Sequence, residues 1–131
     1  FRMKLPEHYR YSKEHEWVQL KGDIATIGIT DYAQEQLGDV VFVELPEVGH
    51  VFHINKSLAT VESVKAVSEV YAPVGGQVIE ANSSLSSSPE LVNNDPYGVA
   101  WFVRIKLSDI QDLDQLMSAN EYQSYVIEES D

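Results

Sequence analysis

Residues 62–69 read Glu-Ser-Val-Lys-Ala-Val-Ser-Glu, an octet that mirrors itself about the bond between Lys65 and Ala66. Successive side chains of a strand point to opposite faces, so matching residues on two arms indicate two paired strands. The mirror therefore predicts a β-hairpin that reverses at Lys65-Ala66 and carries the lysine at its tip. The predicted cross-strand pairs are Val64 with Val67, Ser63 with Ser68 and Glu62 with Glu69.

The predicted tip departs from ordinary hairpin chemistry. Lys65 and Ala66 replace the Gly, Asn or Asp that tight turns prefer. Like charges at Glu62 and Glu69 would also face each other across the ladder. Both features indicate selection for something other than stability. Two interpretations remain open from the octet alone: a solubilising charge at a sheet edge, or an attachment or contact point.

Strands are predicted before and after the octet, with turn residues between them. Gly22-Asp23 predicts a tight turn between segments 9–21 and 24–29. Thr30 and Gly38 are suited to begin and end a short helix over 32–37. Further strands are predicted at 40–45, 58–64, 67–71, 77–81 and 101–107.

The remaining segments predict loops and helices. Residues 82–89 are expected as a surface loop or a short helical turn, and 89–98 as an ordered loop because of its prolines and turn formers. The spacing within 113–117 favours one helix, while Ser118 and Glu121 form a capping box for another. The fold class is therefore mainly β, with a short internal helix and C-terminal helices. Two similar β halves are expected to pack as a sandwich or flattened barrel.

Composition limits the function classes. The 131 residues predict a single domain over 1–131. Twenty-one Asp and Glu against nine Lys and Arg give a net charge of −12, which disfavours nucleic acid and anionic membrane surfaces as partners. No apolar run approaches the ~20 residues of a membrane span. Without cysteine, redox chemistry has to come from an attached group.

The N-terminus and the histidines carry weaker signals. Residues 1–2 are expected to be a remnant of cloning before the natural start at Met3, and no apolar signal segment follows, which favours the cytoplasm. We expect a monomer. His50 and His53 are spaced like a metal pair, but no second cluster of ligands accompanies them, so no metal site is expected. The absence of a Gly-x-Ser-x-Gly motif disfavours a hydrolase.

Four co-linear motifs, with flanking segments from His15-Glu16-Trp17-Val18 to Glu121-Tyr122, resemble the glycine cleavage system H protein family. The motifs are Glu62-Ser63-Val64-Lys65-Ala66, Gly38-Asp39-Val40-Val41-Phe42-Val43-Glu44-Leu45-Pro46, Pro73-Val74-Gly75-Gly76-Gln77-Val78-Ile79-Glu80 and Pro96-Tyr97-Gly98. The resemblance implies a lipoyl/biotinyl-type barrel-sandwich hybrid. One departure is Ala100, where the family usually has glycine.

The resemblance implies that Lys65 carries lipoate through an amide bond. An arm of about a dozen bonds would reach on the order of 15 Å and supply the sulfurs that the chain lacks. The implied function is a carrier, not an enzyme. It takes the aminomethyl group of glycine from glycine decarboxylase to aminomethyltransferase, which passes the carbon to tetrahydrofolate, and presents the dithiol to dihydrolipoamide dehydrogenase. A lipoate-attaching enzyme is the fourth implied partner, and the location is the cytoplasm in bacteria or the mitochondrial matrix in eukaryotes.

Three acids near the octet are candidate site residues. Glu16 and Glu69 are expected to form an acidic surface cleft that holds the loaded arm and shields it from water. The alternative is that both are solvated surface acids. Glu62, beside the tip, is a candidate for recognition by the lipoate-attaching enzyme.

Other functions remain as alternatives. The lipoyl domain of a 2-oxoacid dehydrogenase complex would carry an Ala/Pro-rich linker and usually an Asp before its lysine, where this chain has Val64. A biotin carrier would place methionines on both sides of the lysine. A lipoyl storage or relay protein would carry the same modification in another role. A stand-alone enzyme would need a nucleophile or metal site that the sequence does not offer.

Overall fold

The computed structural model describes residues 2–130, so the expectation for residues 1–2 falls in part on Phe1, which lies outside the described residues. This part of the chain forms two sheets. The strands are β1 Arg10–Tyr11, β2 Glu16–Lys21, β3 Ile24–Ile29, β4 Val40–Glu44, β5 Val51–Phe52, β6 Ser57–Ser63, β7 Val67–Tyr71, β8 Gly76–Ala81 and β9 Val103–Leu107. One sheet has the order β1-β2-β3-β9-β8-β5, and the other has the order β4-β6-β7.

Helices occupy the connections and the C-terminus. They are α1 Asp31–Leu37, α2 Ser84–Ser87, α3 Leu91–Asn94, a 3-10 helix Ile110–Gln115 and α4 Ala119–Ser130. The mainly β class with a short internal helix and a C-terminal helix is confirmed. Within residues 2–130, none of these helices combines the length and apolar character that a membrane crossing requires.

The first hairpin and the first helix form where local signals predict them. Lys21 lies opposite Ile24, so Gly22-Asp23 is the two-residue loop, and Gly22 has a φ of 64°. The Thr30 side chain accepts a hydrogen bond from the N–H of Ala33 at 3.1 Å, which satisfies one free donor at the start of α1.

The register predicted for the lysine hairpin is wrong. Glu62 lies opposite Val67, and Ser63 N donates to Ala66 O at 2.8 Å, so the turn is centred on Val64-Lys65 and not on Lys65-Ala66. The predicted pairs do not form. Glu69 lies opposite Thr60 instead of Glu62, which removes the like-charge pair from directly opposed positions. Lys65 nevertheless remains in the turn.

Two further segments differ from expectation. Residues 91–94 are helical where an ordered loop was predicted, because Asn93 is tied to neighbouring elements: its side chain accepts from Val40 N at 2.9 Å and donates to Gly38 O at 2.8 Å. The segment 113–117 is only partly helical, since the 3-10 helix ends at Gln115. The capping box is confirmed by the bonds Ser118 N to Glu121 Oε1 at 2.9 Å and Glu121 N to Ser118 Oγ at 3.2 Å.

Side chains from both sheets form one apolar core, and the sheets remain a sandwich without closing into a barrel. Ala100, the departure from the family pattern, is buried in this core. A second cluster lies where α4 packs on β1 and β2. There the ring of Tyr122 stacks on that of Tyr11 with centroids 5.0 Å apart. This second cluster fixes α4 beside the loop that precedes Glu16.

Candidate functional site

The lysine tip projects from the three-stranded sheet. Val64, Lys65 and Ala66 are all exposed. The Lys65 stem lies over the end of α1, since a Cβ built on Gly38 would be 3.6 Å from Lys65 Cε. Val64 N donates to Asp39 O at 3.0 Å, which ties the turn to the segment between α1 and β4. The tip is therefore exposed and yet anchored at its base.

A cleft of about 390 Å³ opens beside the tip, between the free edge of β7, helix α1 and the loop before β2. Ala66 and Val67 line its end nearest the lysine. The other lining residues are Glu14, His15, Glu16, Ile29, Tyr32, Ala33, Gln36, Leu37, Val61, Ser68, Glu69, Val70 and Glu129. Residue 66 therefore connects the lysine directly to the cleft.

Glu16 is not a surface acid, because only 2% of it is exposed. Its Oε1 accepts from Ser12 Oγ at 2.5 Å, and its Oε2 accepts from Tyr71 N at 3.2 Å. Burial raises the pKa of Glu16 to about 7, although the hydrogen bonds from Ser12 and Tyr71 act in the opposite direction. The alternative that Glu16 is a solvated surface acid is therefore wrong, because the carboxyl is buried.

Glu69 lines the same cleft as Glu16, so the structure brings the two predicted acids together. It differs from Glu16 in being exposed. Its Oε2 accepts hydrogen bonds from the hydroxyl of Ser57 and, at 3.3 Å, from Thr60 Oγ1. The carboxylate therefore rests on the outer face of β6 at the rim of the cleft.

The structure adds two acids that the sequence reasoning missed. Glu14 and Glu129 are exposed and line the cleft. His15, with a φ of 71°, joins them through its ring: Nε2 lies 3.3 Å from Glu129 Oε1, and Nδ1 lies 2.7 Å from the hydroxyl of Tyr122. Glu14 is detectable by its proximity to Glu16 in the chain, but Glu129 is brought in only by the packing of α4.

The lining of the cleft determines what it can hold. Among the residues that the structure describes, four glutamates and no Lys or Arg line the cleft, and apolar side chains from β3, α1, β6 and β7 cover much of the rest. Carboxylates favour a cation, while the apolar walls favour a hydrocarbon chain. The cleft therefore fits a ligand with an apolar stem and a positively charged end.

Glu62 lies apart from this cleft lining, on the outer face of the three-stranded sheet. It is half-buried and sits in the middle of a cross-strand row, with Phe42 on one side and Val67 on the other. The two histidines noted as a pair lie elsewhere, and the His50 ring stacks on Phe52 with centroids 4.5 Å apart. His53 is exposed.

Comparison with known proteins gives one consistent result. A model of the family described as "Glycine cleavage H-protein" matches residues 9–129. The glycine cleavage system H protein of Halothermothrix orenii is 55% identical over 126 residues, which cover 96% of this chain and 98% of that protein. The protein of the same description from Staphylococcus carnosus is 55% identical over 124 residues, covering 95% and 98%.

A solved structure agrees with the sequence comparisons. The crystal structure of a glycine cleavage system H protein from Mycobacterium marinum superposes with a TM-score of 0.84. Its sequence is 34% identical, and the match covers 96% of this chain and 99% of that one. The two-sheet arrangement with its C-terminal helix is thus also found in an experimental structure.

Proposed function

Because this chain belongs to the glycine cleavage H-protein family, we propose that Lys65 is the residue to which its lipoate is attached. The protein is a lipoyl carrier of the glycine cleavage system, as are the proteins it resembles over nearly its whole length. The observation that supports Lys65 is its position: an exposed lysine in an anchored turn, one residue from the acidic and apolar cleft.

The residues near Lys65 fit a lipoyl arm. The attaching enzyme would activate the lipoyl carboxyl with ATP as an acyl adenylate. Attack by the Lys65 amine would then form the amide as AMP leaves and the nitrogen gives up a proton. The bound dithiolane supplies the redox-active sulfurs. The chain's own residues position the base of the arm, through Gly38 and Asp39, and offer apolar walls to its hydrocarbon portion.

The partners follow from this role. We propose that glycine decarboxylase, aminomethyltransferase and dihydrolipoamide dehydrogenase each act on the arm, and that a lipoate-attaching enzyme acts on Lys65 itself. The protein would work as a monomer in the cytoplasm of a bacterial cell, with no active site of its own. The bacterial sources of the relatives support that location.

Intact mass tests the attachment. After incubation with a lipoate-attaching enzyme, lipoate and ATP, the wild-type chain is expected to gain one lipoyl group. Lys65→Arg should gain none, while Lys56→Arg, which changes another exposed lysine next to a hairpin strand, should gain one. The loaded protein should then support glycine-dependent CO2 release by glycine decarboxylase. A lipoyl mass on Lys65→Arg would contradict the assignment.

We also propose that Glu16 and Glu69 hold the aminomethyl cargo in the cleft. The amine is a cation when protonated, and burial next to carboxylates strengthens the attraction by lowering the local dielectric. Loss of the aminomethyl group from the loaded arm should be several-fold faster in Glu16→Ala and Glu69→Ala. Glu90→Ala, at an exposed acid outside the cleft, is the control. Equal decay in all three variants would contradict this role.

We further propose that Glu62 is recognised by the lipoate-attaching enzyme. Its position in the cross-strand row next to the lysine turn supports this role. Glu62→Gln keeps the shape of the side chain and removes its charge, so lipoylation at limiting concentration of the variant should slow several-fold. Glu47→Gln, at an exposed acid in the turn after β4, should load at the wild-type rate.

A further inference from the structure

Exposed apolar side chains concentrate around the lysine. Val64 in the turn is 71% exposed, and Val67 at the start of β7 is 64% exposed. On the other side of β6, Val41 and Phe42 are 52% and 46% exposed. Single exposed apolar residues need no explanation, but a group that surrounds one functional position indicates a contact surface. We call these four residues the tip patch.

A β-bulge creates half of the tip patch. The pairing of β4 with β6 shifts between Val40 and Phe42, so Val41 is the extra residue. Val40 remains buried, whereas Val41 and Phe42 are both exposed. A regular strand would have turned one of two successive side chains inward. Bulges redirect side chains near functional sites, and this one adds apolar surface next to the tip.

The charged side chains of the three strands next to the tip patch have one sign. Strands β4, β6 and β7 contain three glutamates and no Lys or Arg. Glu62 lies between Phe42 and Val67 in one cross-strand row, and Glu44 and Glu69 lie on either side of Thr60 in the next row. A complementary partner would present an apolar surface with basic side chains opposite these carboxylates.

The short reach of an unmodified lysine selects one partner. From Cα to Nζ the side chain spans only about 6 Å, by ordinary bond lengths. An enzyme that forms the amide must therefore bring its own surface against the turn. Enzymes that act on the far end of the finished arm work on the order of 15 Å away and have no need to cover these residues.

We propose that the tip patch is the docking surface for the lipoate-attaching enzyme, which meets it with an apolar surface and a basic side chain opposite Glu62. Val64 and Val67 flank Lys65 on the hairpin, and Phe42 and Val41 extend the contact across β6. The inference rests on the proposed attachment at Lys65. It adds the surface through which this protein presents Lys65 to the enzyme, and the kind of surface that the enzyme would place against it.

The test measures lipoylation kinetics with purified full-length variants. Phe42→Ser should raise the KM of the attaching enzyme for the carrier about tenfold and Val41→Ser about threefold, with kcat little changed, since aromatic anchors contribute more to docking energies than small aliphatic contacts. Val51→Ser is the matched control, because Val51 is 56% exposed on strand β5 in the other sheet. It should leave KM within about twofold of wild type.

A second readout separates docking from folding and from general defects. Each variant is loaded to completion, and reoxidation of its dihydrolipoyl form by dihydrolipoamide dehydrogenase should stay within about twofold of wild type. Val64→Ser, at a turn residue 71% exposed, covers the case in which Phe42→Ser fails to fold. Its KM should also rise.

The outcomes are distinguishable from those of the proposed function. Wild-type KM values in all tip-patch variants, with Lys65→Arg still unable to gain lipoate, would overturn the docking surface and leave the attachment site standing. Equal slowing of lipoylation and of dihydrolipoyl reoxidation would overturn the assignment to the attaching enzyme. A lipoyl mass on Lys65→Arg would overturn the attachment site itself.

Discussion

Ser63 and Ala66 are joined by hydrogen bonds in both directions across the lysine turn. Ser63 N donates to Ala66 O at 2.8 Å, and Ala66 N donates to Ser63 Oγ at 3.1 Å. The same Oγ accepts from Lys65 N at 3.3 Å. A turn with Val and Lys at its centre lacks Gly, Asn and Asp, and the serine hydroxyl supplies the local hydrogen bonds that those residues often provide. The residue before the turn thus sets the direction of the lysine.

Ser63→Ala tests this relationship. Losing the hydroxyl leaves the N–H groups of Lys65 and Ala66 to water, so the free energy of unfolding should fall by about 1 kcal/mol. Amide hydrogen exchange at both positions should accelerate. Urea unfolding measures the first effect, with Ser86→Ala at an exposed serine of α2 as control. Unchanged exchange at the tip would contradict the role assigned to Ser63.

Gly38 combines a φ of 77° with a ψ of −157°, a backbone region that is essentially restricted to glycine. Its conformation ends α1 and directs the chain to Asp39, which accepts the N–H of Val64. Gly38→Ala should therefore lower the free energy of unfolding by about 1–3 kcal/mol through backbone strain.

Gly22→Asn is the matched control for Gly38→Ala. Gly22 has a φ of 64°, a Cβ added to it would meet nothing within 4 Å, and asparagine tolerates the left-handed region. Urea unfolding should show a smaller loss than for Gly38→Ala. Equal decreases in the free energy of unfolding for the two variants would mean that backbone strain at Gly38 does not determine the effect of Gly38→Ala.

Local signals predicted the elements that depend on neighbouring residues. The Gly22-Asp23 loop, the caps of α1 and the Ser118–Glu121 box all formed, because their hydrogen bonds join residues within one turn. The hairpin was also found, but its register was wrong. The prediction from the mirrored octet did not include the hydrogen bonds of the Ser63 hydroxyl. It also did not include the bond from Val64 N to Asp39 O, because Asp39 belongs to another segment.

Long-range packing explains what the sequence did not predict. Helix α3 forms around Asn93, whose side chain bonds to Gly38 O and Val40 N more than fifty positions earlier in the chain. Glu16 was expected at the surface, but the backbone of Tyr71 covers it and donates to its carboxylate. Glu129 reaches the cleft only through the docking of α4. Lys65 was predicted as the attachment site because its motif is local.

The net charge of −12 predicts how partners meet the protein. If the attaching enzyme presents basic side chains to the tip patch, the second-order rate of lipoylation should fall several-fold between ~0.05 and ~0.5 M salt, as screening weakens the attraction. An uncharged osmolyte at matched concentration is the control. Glu62→Gln should reduce the dependence of the rate on salt, and a rate independent of salt would contradict the electrostatic part of the docking model.

Glu16 predicts a dependence of stability on pH. Its pKa is about 7 in the folded protein, against 4.5 for an ordinary glutamate, and burial is the main cause. Between these values the folded chain holds a proton that the unfolded chain has released, so stability falls as pH rises. Glu16→Gln stays neutral. Its free energy of unfolding, relative to wild type, should therefore rise from pH 4 to pH 8 by on the order of 3 kcal/mol.

Urea unfolding of both proteins across this pH range measures the difference. The difference in free energy of unfolding between Glu16→Gln and wild type could instead be independent of pH or increase towards acidic pH. Either result would mean that burial does not hold the proton on Glu16. A cation in the cleft favours the ionised carboxylate, so loading the aminomethyl group should release a proton near pH 7 and recover part of the stability lost at pH 8.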